Sequence, residues 1–422
     1  MAKRIATMVL MGLMLASCAP PGAGGPGGGG SGPIKVGLVF PTTGTAAASG
    51  ADMQNGWELY WKVKGAKIGN RTVENIYEDT AGDPNTAITK GRQLVEQRGV
   101  SMLVGPLFAN EGYALADYVK TTSVPLFAPI IASDDLTQRQ KSDSVIRVAG
   151  WTSSQVHHPF GEWAYDQGYR NILTVCSDYA FGHEVCGGFV RTFTGKGGKI
   201  VNQLWTPLNT ADYSSYLTQI QGIQADAAFV LEVGADGPRY MRQWNEFGLK
   251  NKLPLLAGEV LMDQSLLRSM QPAEAEGIIS AGHYAEGRPA KPTQDFVDLY
   301  LKEYNQLPSY FAAALYTAAG WIAAAAEKTN GNVEDSKKLV EAVKGISLDD
   351  SAFGPMKLDE YNNPIFNVYI RKVEQRPDGK MWNVPIKTYE NVSQFWTFSP
   401  EEFLKQPVYS RTFQGLPEQL KK

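Results

Sequence analysis

Two successive series of alternating strand and helix signals, parted by a crossover near Gly150-Trp151-Thr152, constrain this chain more than any other feature. In the first, the apolar run 34–40 (IKVGLVF) is broken by Pro41-Thr42-Thr43-Gly44, after which Met53, Trp57, Tyr60 and Trp61 recur at helical spacing. Residues 73–77 predict the next strand. Asp83-Pro84 reads as an N-cap and first-turn proline, and Ala87, Ile88, Gly91, Leu94 and Val95 form the buried stripe of a helix. A strand at 102–104, a Gly105-Pro106 turn, a helix from about Asn110 and a strand at 124–127 complete the series. The second series predicts strands at 171–175, 199–205, 227–231 and 254–257, with helices at 182–195, 212–220 and 238–247 between them. Such repetition predicts an α/β fold of two doubly wound, parallel-sheet lobes. Helices at 293–304, 311–329 and 333–343 follow, then a strand-rich end around 367–373 and 384–389.

Open parallel sheets hold ligands outside the carboxyl ends of their strands. Here those ends are residues 41–50, 105–110, 128–133, 176–182, 232–236 and 258–260, and such loops on two facing lobes would enclose one small molecule.

The chain opens with Lys3 and Arg4, an apolar run at 5–15, and then Leu15-Ala16-Ser17-Cys18. That order marks residues 1–17 as a lipoprotein signal peptide and Cys18 as the lipidated first residue of the mature chain. The expected location is the cell envelope, anchored by lipid on the periplasmic or extracellular face of a membrane. Residues 18–33, nearly all Gly, Pro and Ala, read as a flexible tether.

With 43% hydrophobic and 20% charged residues, the remainder can bury more than one core. Loss of Lys3 and Arg4 with the leader removes two positive charges and takes the net charge from -3 to -5. That balance offers no concentrated basic surface, so nucleic acid is not an expected partner. The apolar stretch 311–326 is sixteen residues long and interrupted by Thr317 and Gly320, which predicts a buried helix rather than a membrane span.

Once Cys18 is assigned to lipid, Cys176 and Cys186 remain, ten positions apart. An oxidising compartment favours a disulfide between them, with two buried thiols as the alternative, because one ends a strand and the other lies in the next helix. No metal site is expected: His183 lies three residues from Cys186, but no second His or Cys pair stands at ligand spacing. No enzyme and no cofactor are expected either. The pairs Cys186 with His183 and Asp178 with His183 lack an orienting third group, and residues 195–198 lack a phosphate-loop pattern.

The segment KVGLVFPTTGTAAASG from Lys35 to Gly50, Glu78-Asp79-Thr80, Asp83-Pro84, Val104-Gly105-Pro106, Leu136-Thr137-Gln138 and Asp178-Tyr179-Ala180-Phe181-Gly182 together resemble the type I periplasmic binding proteins of ABC importers. Within that family the likeness is to the branched-chain amino-acid-binding (leucine-binding) group, and it covers roughly residues 34–389. It implies two lobes joined by three crossovers, lobe I from 34–153 and 284–350 and lobe II from 154–283 and 351–390, leaving 391–422 as a C-terminal extension. It also implies permease and ATPase subunits as partners and a small apolar amino acid as ligand, bound as the lobes close. A ligand-sensing subunit, or a receptor for an aromatic or aliphatic carboxylate or amide, would use the same cleft.

Carried over residue by residue, the resemblance places Ala109 where the family offers a serine hydroxyl to the ligand carboxylate, with Asn110 next to it, and Ala132 at a frequent threonine position, with Ser133 beside it. The clamp is then expected to rest on backbone N–H groups at a helix start plus Asn110 or Ser133. Glu259 matches the acid that holds a ligand ammonium. Phe181 and Phe311 fall where aromatic side chains line the pocket, with Leu107 and Phe108 nearby. Ser49 and Ile130 join the expected ligand contacts, and Trp151 is read as hinge packing or pocket wall.

Overall fold

The computed structural model describes Gly30 and residues 32–420, so the leader and Cys18 lie outside the described residues. A first sheet holds β1 (Ile34–Phe40), β2 (Lys67–Ile68), β3 (Arg71–Asp79), β4 (Met102–Val104), β5 (Leu126–Phe127) and β6 (Val145–Ile146), in the order β2-β3-β1-β4-β5-β6. All its pairs are parallel except the short β2 and β3 hairpin. Covered on both faces, β1 reads as a continuous apolar run rather than an alternating one.

The second sheet joins β7 (Asn171–Ser177), β8 (Lys199–Thr206), β9 (Ala227–Leu231), β10 (Leu255–Ala257) and β11 (Ile279–Gly282) in parallel. Beyond β11 it turns antiparallel through β12 (Ser347–Leu348), β13 (Met356–Leu358), β14 (Pro364–Gln375) and β15 (Met381–Val392), the last two forming one long hairpin. In each parallel part the earliest strand lies between the second and third, as β3-β1-β4 and β8-β7-β9. That reversal of strand order is where open α/β sheets hold ligands.

After β11 the chain returns to the first lobe. Helices Lys291–Tyr304 and Tyr310–Lys328 pack on helix Ala47–Lys64, with the Tyr300 hydroxyl donating to Asp52 (3.2 Å) and the Tyr304 hydroxyl to the Asn55 carbonyl (3.0 Å). The alanine-rich segment is buried there as expected, and among the described residues no helix is long and apolar enough to cross a membrane. β12 pairs in the second sheet although the resemblance assigned residues up to 350 to the first lobe.

Some elements differ from the sequence reading. The strand expected at 124–127 shortens to β5, since Pro125 has no N–H to give and contributes only its carbonyl, which accepts from Leu103 (2.9 Å). The helix expected at 333 starts at Ser336, where the Asp335 carboxylate caps the Lys338 N–H (3.2 Å). Cys176 and Cys186 are joined as a disulfide, their Cα atoms 6.6 Å apart, between the end of β7 and helix Ala180–Gly195. The C-terminal segment folds back on that helix and on helix Ser153–Asp166: Tyr409 packs over Gly187, and its hydroxyl meets His158 Nε2 at 3.0 Å.

Candidate functional site

Between the carboxyl ends of the two sheets lies a cavity that leaves about 70 Å³ for the centres of water molecules. A single water needs only about 10–15 Å³ on that measure, so the space takes a small organic molecule. The first lobe contributes Thr45, Ala46 and Ser49 after β1, Leu107, Phe108 and Ala109 after β4, and Ile130 and Ala132 after β5. The second contributes Tyr179 and Phe181 after β7, Leu208 and Asn209 after β8, Val233, Gly234 and Asp236 after β9, and Val260 after β10. Trp151 from the first crossover and Tyr310 and Phe311 from the start of the buried helix close the remaining wall.

Local chemistry holds these loops in place. The Asp79 carboxylate accepts from the Thr42 N–H (2.9 Å) and the Thr43 hydroxyl (2.6 Å), which fixes the turn after β1. Helix Ala47–Lys64 tucks so tightly under that turn that a Cβ on Gly50 would lie 2.0 Å from the Pro41 carbonyl oxygen. After β4, the buried Glu111 carboxylate accepts from the Phe108 N–H (2.8 Å) at the start of helix Ala109–Val119. Across the cleft, Gly234 (φ 52°) comes so near Thr45 that a Cβ would stand 2.9 Å from its carbonyl oxygen. A side chain there would be strained twice, by its backbone and by the opposite lobe.

Six aromatic rings dominate the lining. Phe181 and Tyr310 present their edges to Trp151, at 5.8 Å and 88° and at 5.9 Å and 84°, and Tyr310 lies 4.0 Å from Phe311. Phe108 and Tyr179 complete the set. Rings that pair edge to face offer further faces and edges on which a flat apolar ring can pack. Asp236 is the sole ionisable acid on the lining, and its carboxylate is already engaged by Arg239 (2.6 Å) and by the Asn209 N–H (2.7 Å).

Behind the wall, burial raises the pKa of several carboxyl groups. Glu232 is pushed up to about 8 by burial, against hydrogen bonds from Thr206 and Ser177, and Asp263 to about 7, against those from the Tyr310 and Ser265 N–H groups. Burial also raises Asp134 and Glu184, whose carboxyl accepts from the Asp134 N–H (3.1 Å). The buried Arg147 is brought down to about 10 by burial and donates to the Trp151 (2.8 Å) and Ser133 (2.6 Å) carbonyls. Glu232 therefore holds its proton at neutral pH, and Arg147 stands nearby as a buried cation.

Ser49, Leu107, Phe108, Ala109, Ile130, Ala132, Phe181 and Phe311 therefore all lie on the cavity wall, whereas Asn110, Ser133 and Glu259 do not. Asn110 is exposed, its side-chain oxygen accepting from the Glu111 N–H (3.1 Å). Ser133 is fully buried with its carbonyl on Arg147. The placement expected for Glu259 needs correcting: its carboxylate is completely buried inside the second lobe, accepting from the backbone N–H (3.0 Å) and Nδ1 (2.8 Å) of His283, with Arg371 Nη1 at 3.8 Å. Burial alone would raise this carboxyl, yet His283 and Arg371 bring it below its ordinary value. The sequence reading did not anticipate Tyr179 or Tyr310 as wall, although both adjoin residues it chose.

A family model described as periplasmic binding protein matches residues 33–380, and the chain belongs to that family. It is a solute-binding protein of the ABC-transporter kind, and membership implies a place outside the cytoplasm. A curated relative, Leu/Ile/Val-binding protein homolog 6 of Brucella melitensis, is 30% identical over 85% of this chain and 92% of its own. A solute-binding protein of Rhodopseudomonas palustris BisB5, solved with 3,4-dihydroxybenzoic acid, is 30% identical with a TM-score of 0.81 over 86% of this chain and 98% of its own. Another from R. palustris, solved with 4-hydroxybenzoate, is 25% identical with a TM-score of 0.79 over the same shares, 86% and 98%.

Proposed function

We propose that this protein is the receptor of an ABC importer for a small aromatic carboxylate of the hydroxybenzoate type, captured between the two lobes. The observation that carries the reading is the withdrawal of Glu259: its carboxylate is paired with His283 and Arg371 inside the second lobe, so a ligand ammonium finds no free acid on the aromatic wall. A flat ring suits the aromatic wall formed by Trp151, Phe181 and Tyr310, and the protonated Glu232 behind the wall spares an anionic ligand one repulsion. The ligand carboxylate is received by backbone N–H groups at the start of helix Ala109–Val119 and by the Ser49 hydroxyl. The likeness to two benzoate-type receptors supports this choice, while the names of the curated relatives favour leucine, isoleucine or valine as the second reading. The mature chain begins at Cys18, which carries the lipid anchor, and delivers its ligand to permease and ATPase subunits.

One experiment reads both ends of the proposal. Protein purified from the membrane fraction is analysed by mass spectrometry, intact and after denaturation, and the stripped protein is titrated calorimetrically with 4-hydroxybenzoate and leucine. Lipid mass on Cys18 and binding of the benzoate alone are expected. Binding of leucine alone would transfer the reading to the amino acid.

A further inference from the structure

Trp151 does not hold its place on the cavity wall by its own backbone alone. The imidazole of His283 stacks against it at 5.3 Å and 23°, and the ring of Phe353 stacks on His283 in turn at 4.8 Å and 19°. Trp151, after β6, and His283, directly after β11, stand at two places where the chain passes between the lobes, and Phe353 belongs to the second lobe, between β12 and β13. His283 is itself fully buried and cannot turn freely, because Glu259 accepts from both its Nδ1 (2.8 Å) and its backbone N–H (3.0 Å). Glu259 is fixed by the second lobe's own groups: its carbonyl accepts from Arg371 (3.0 Å), and its N–H meets His157 Nε2 (3.3 Å). The edge contacts of Phe181 and Tyr310 press on Trp151 from the cavity side.

We infer that His283, oriented by Glu259, is a positioning residue that sets the plane of Trp151 and so the shape of the cavity wall against which a flat ligand packs. Its effect on selectivity rests on the aromatic-carboxylate reading; its effect on Trp151 does not. A buried ring held between two stacked rings has one orientation, and a ring that loses its backing samples several. Glu259 therefore serves ligand recognition through two side chains rather than by contact.

The test uses the full mature protein labelled with 5-fluorotryptophan, the Trp151 resonance being identified by its loss in Trp151→Phe. In ligand-free wild type that resonance is expected to be single and sharp. In His283→Ala it is expected to broaden or divide, in Glu259→Gln to shift, and in His283→Phe, which keeps the stack, to return close to the wild-type line. In parallel, 4-hydroxybenzoate affinity is expected to fall at least tenfold in His283→Ala and to recover most of the way in His283→Phe. An unchanged Trp151 resonance in His283→Ala, or in Glu259→Gln should the alanine variant not fold, overturns the inference. So does unchanged benzoate affinity in His283→Ala when wild type binds it. A wild type that binds no benzoate removes the functional reading, and the fluorine spectra then decide the positioning role alone.

Discussion

Glu232 directly follows β9, before Val233 on the cavity wall, and sits with its carboxyl between the Thr206 hydroxyl (2.6 Å) and the Ser177 hydroxyl (3.0 Å). Because burial raises its carboxyl from 4.5 to about 8, the folded chain holds a proton between those values that the unfolded chain has released. Stability contributed by this group is therefore complete below about 4.5 and declines as pH rises towards about 8. In Glu232→Gln, which keeps a polar partner for both hydroxyls, the loss of stability between mildly acidic and mildly basic pH should shrink by about 2 kcal/mol, the full shift being discounted for relaxation. Urea denaturation at the two ends of that window measures it, and an identical pH slope in both proteins would rule the assignment out. The same scale shows what sequence reading reached. Phe181, Phe311 and Ala109 lie on the wall because motif spacing locates a backbone position at a strand end. Glu259 occupies its expected position in the chain, but where its side chain goes depends on Arg371, 112 residues further on in β14, and no local pattern carries that information.

Elements were legible in proportion to the length of their apolar pattern. β1, β4 and β9 follow continuous hydrophobic runs, whereas the two-residue strands β2, β6 and β12 have no run to detect. Helix Ser153–Asp166 went unread because SSQVHHPFGEWAYD places polar residues and Pro159 on faces that are nearly all buried in this fold. Its polar side chains find partners only through tertiary contacts, as Gln155 does on the Pro364 (2.8 Å) and Val392 (2.9 Å) carbonyls. Helix pairing carries its own prediction. Helix Ala47–Lys64 meets helix Tyr310–Lys328 at Gly56, where a Cβ would fall 2.1 Å from the Ala312 carbonyl oxygen. Alanine would ordinarily gain roughly 0.5–1 kcal/mol over glycine in a helix interior. Here it must push two backbones apart, so Gly56→Ala should lose about 1 to 3 kcal/mol. Gly320→Ala, on the facing helix, would meet only the edge of the Tyr60 ring at 3.2 Å and should stay near neutral. Chemical denaturation of the pair checks the contrast, and stabilisation by Gly56→Ala would contradict the packing.

At the scale of the molecule, the second-lobe turn at residues 263–268 reaches across to the first lobe at several points. The Asp263 carboxylate accepts from the Tyr310 N–H (2.8 Å), the Ser265 and Ser49 hydroxyls meet at 3.3 Å, and Arg268 pairs with the buried Asp52. Asp52 in turn accepts from the Tyr300 hydroxyl (3.2 Å), so the ion pair ties the turn to two first-lobe helices. None of this was visible in the sequence, since each partner lies in a segment with its own local explanation. The arrangement makes the closed cleft partly self-supporting, and a ligand need then shift the equilibrium between open and closed forms less far. Removing Arg268 leaves the Asp52 carboxyl buried with only the Tyr300 and Ser309 hydroxyls as partners, a state relieved when the lobes part and water enters. Arg268→Ala should therefore favour the open form: the radius of gyration of the ligand-free protein in X-ray scattering should increase, and ligand affinity should fall by about threefold to tenfold through the smaller competent fraction. Asp52→Asn removes the charge that opening would hydrate, so Arg268→Ala combined with it should recover part of the affinity. If Arg268→Ala instead binds as tightly as wild type with an unaltered scattering profile, the ion pair is a bystander of closure, and the fit of the aromatic wall around the ligand must supply the closing free energy.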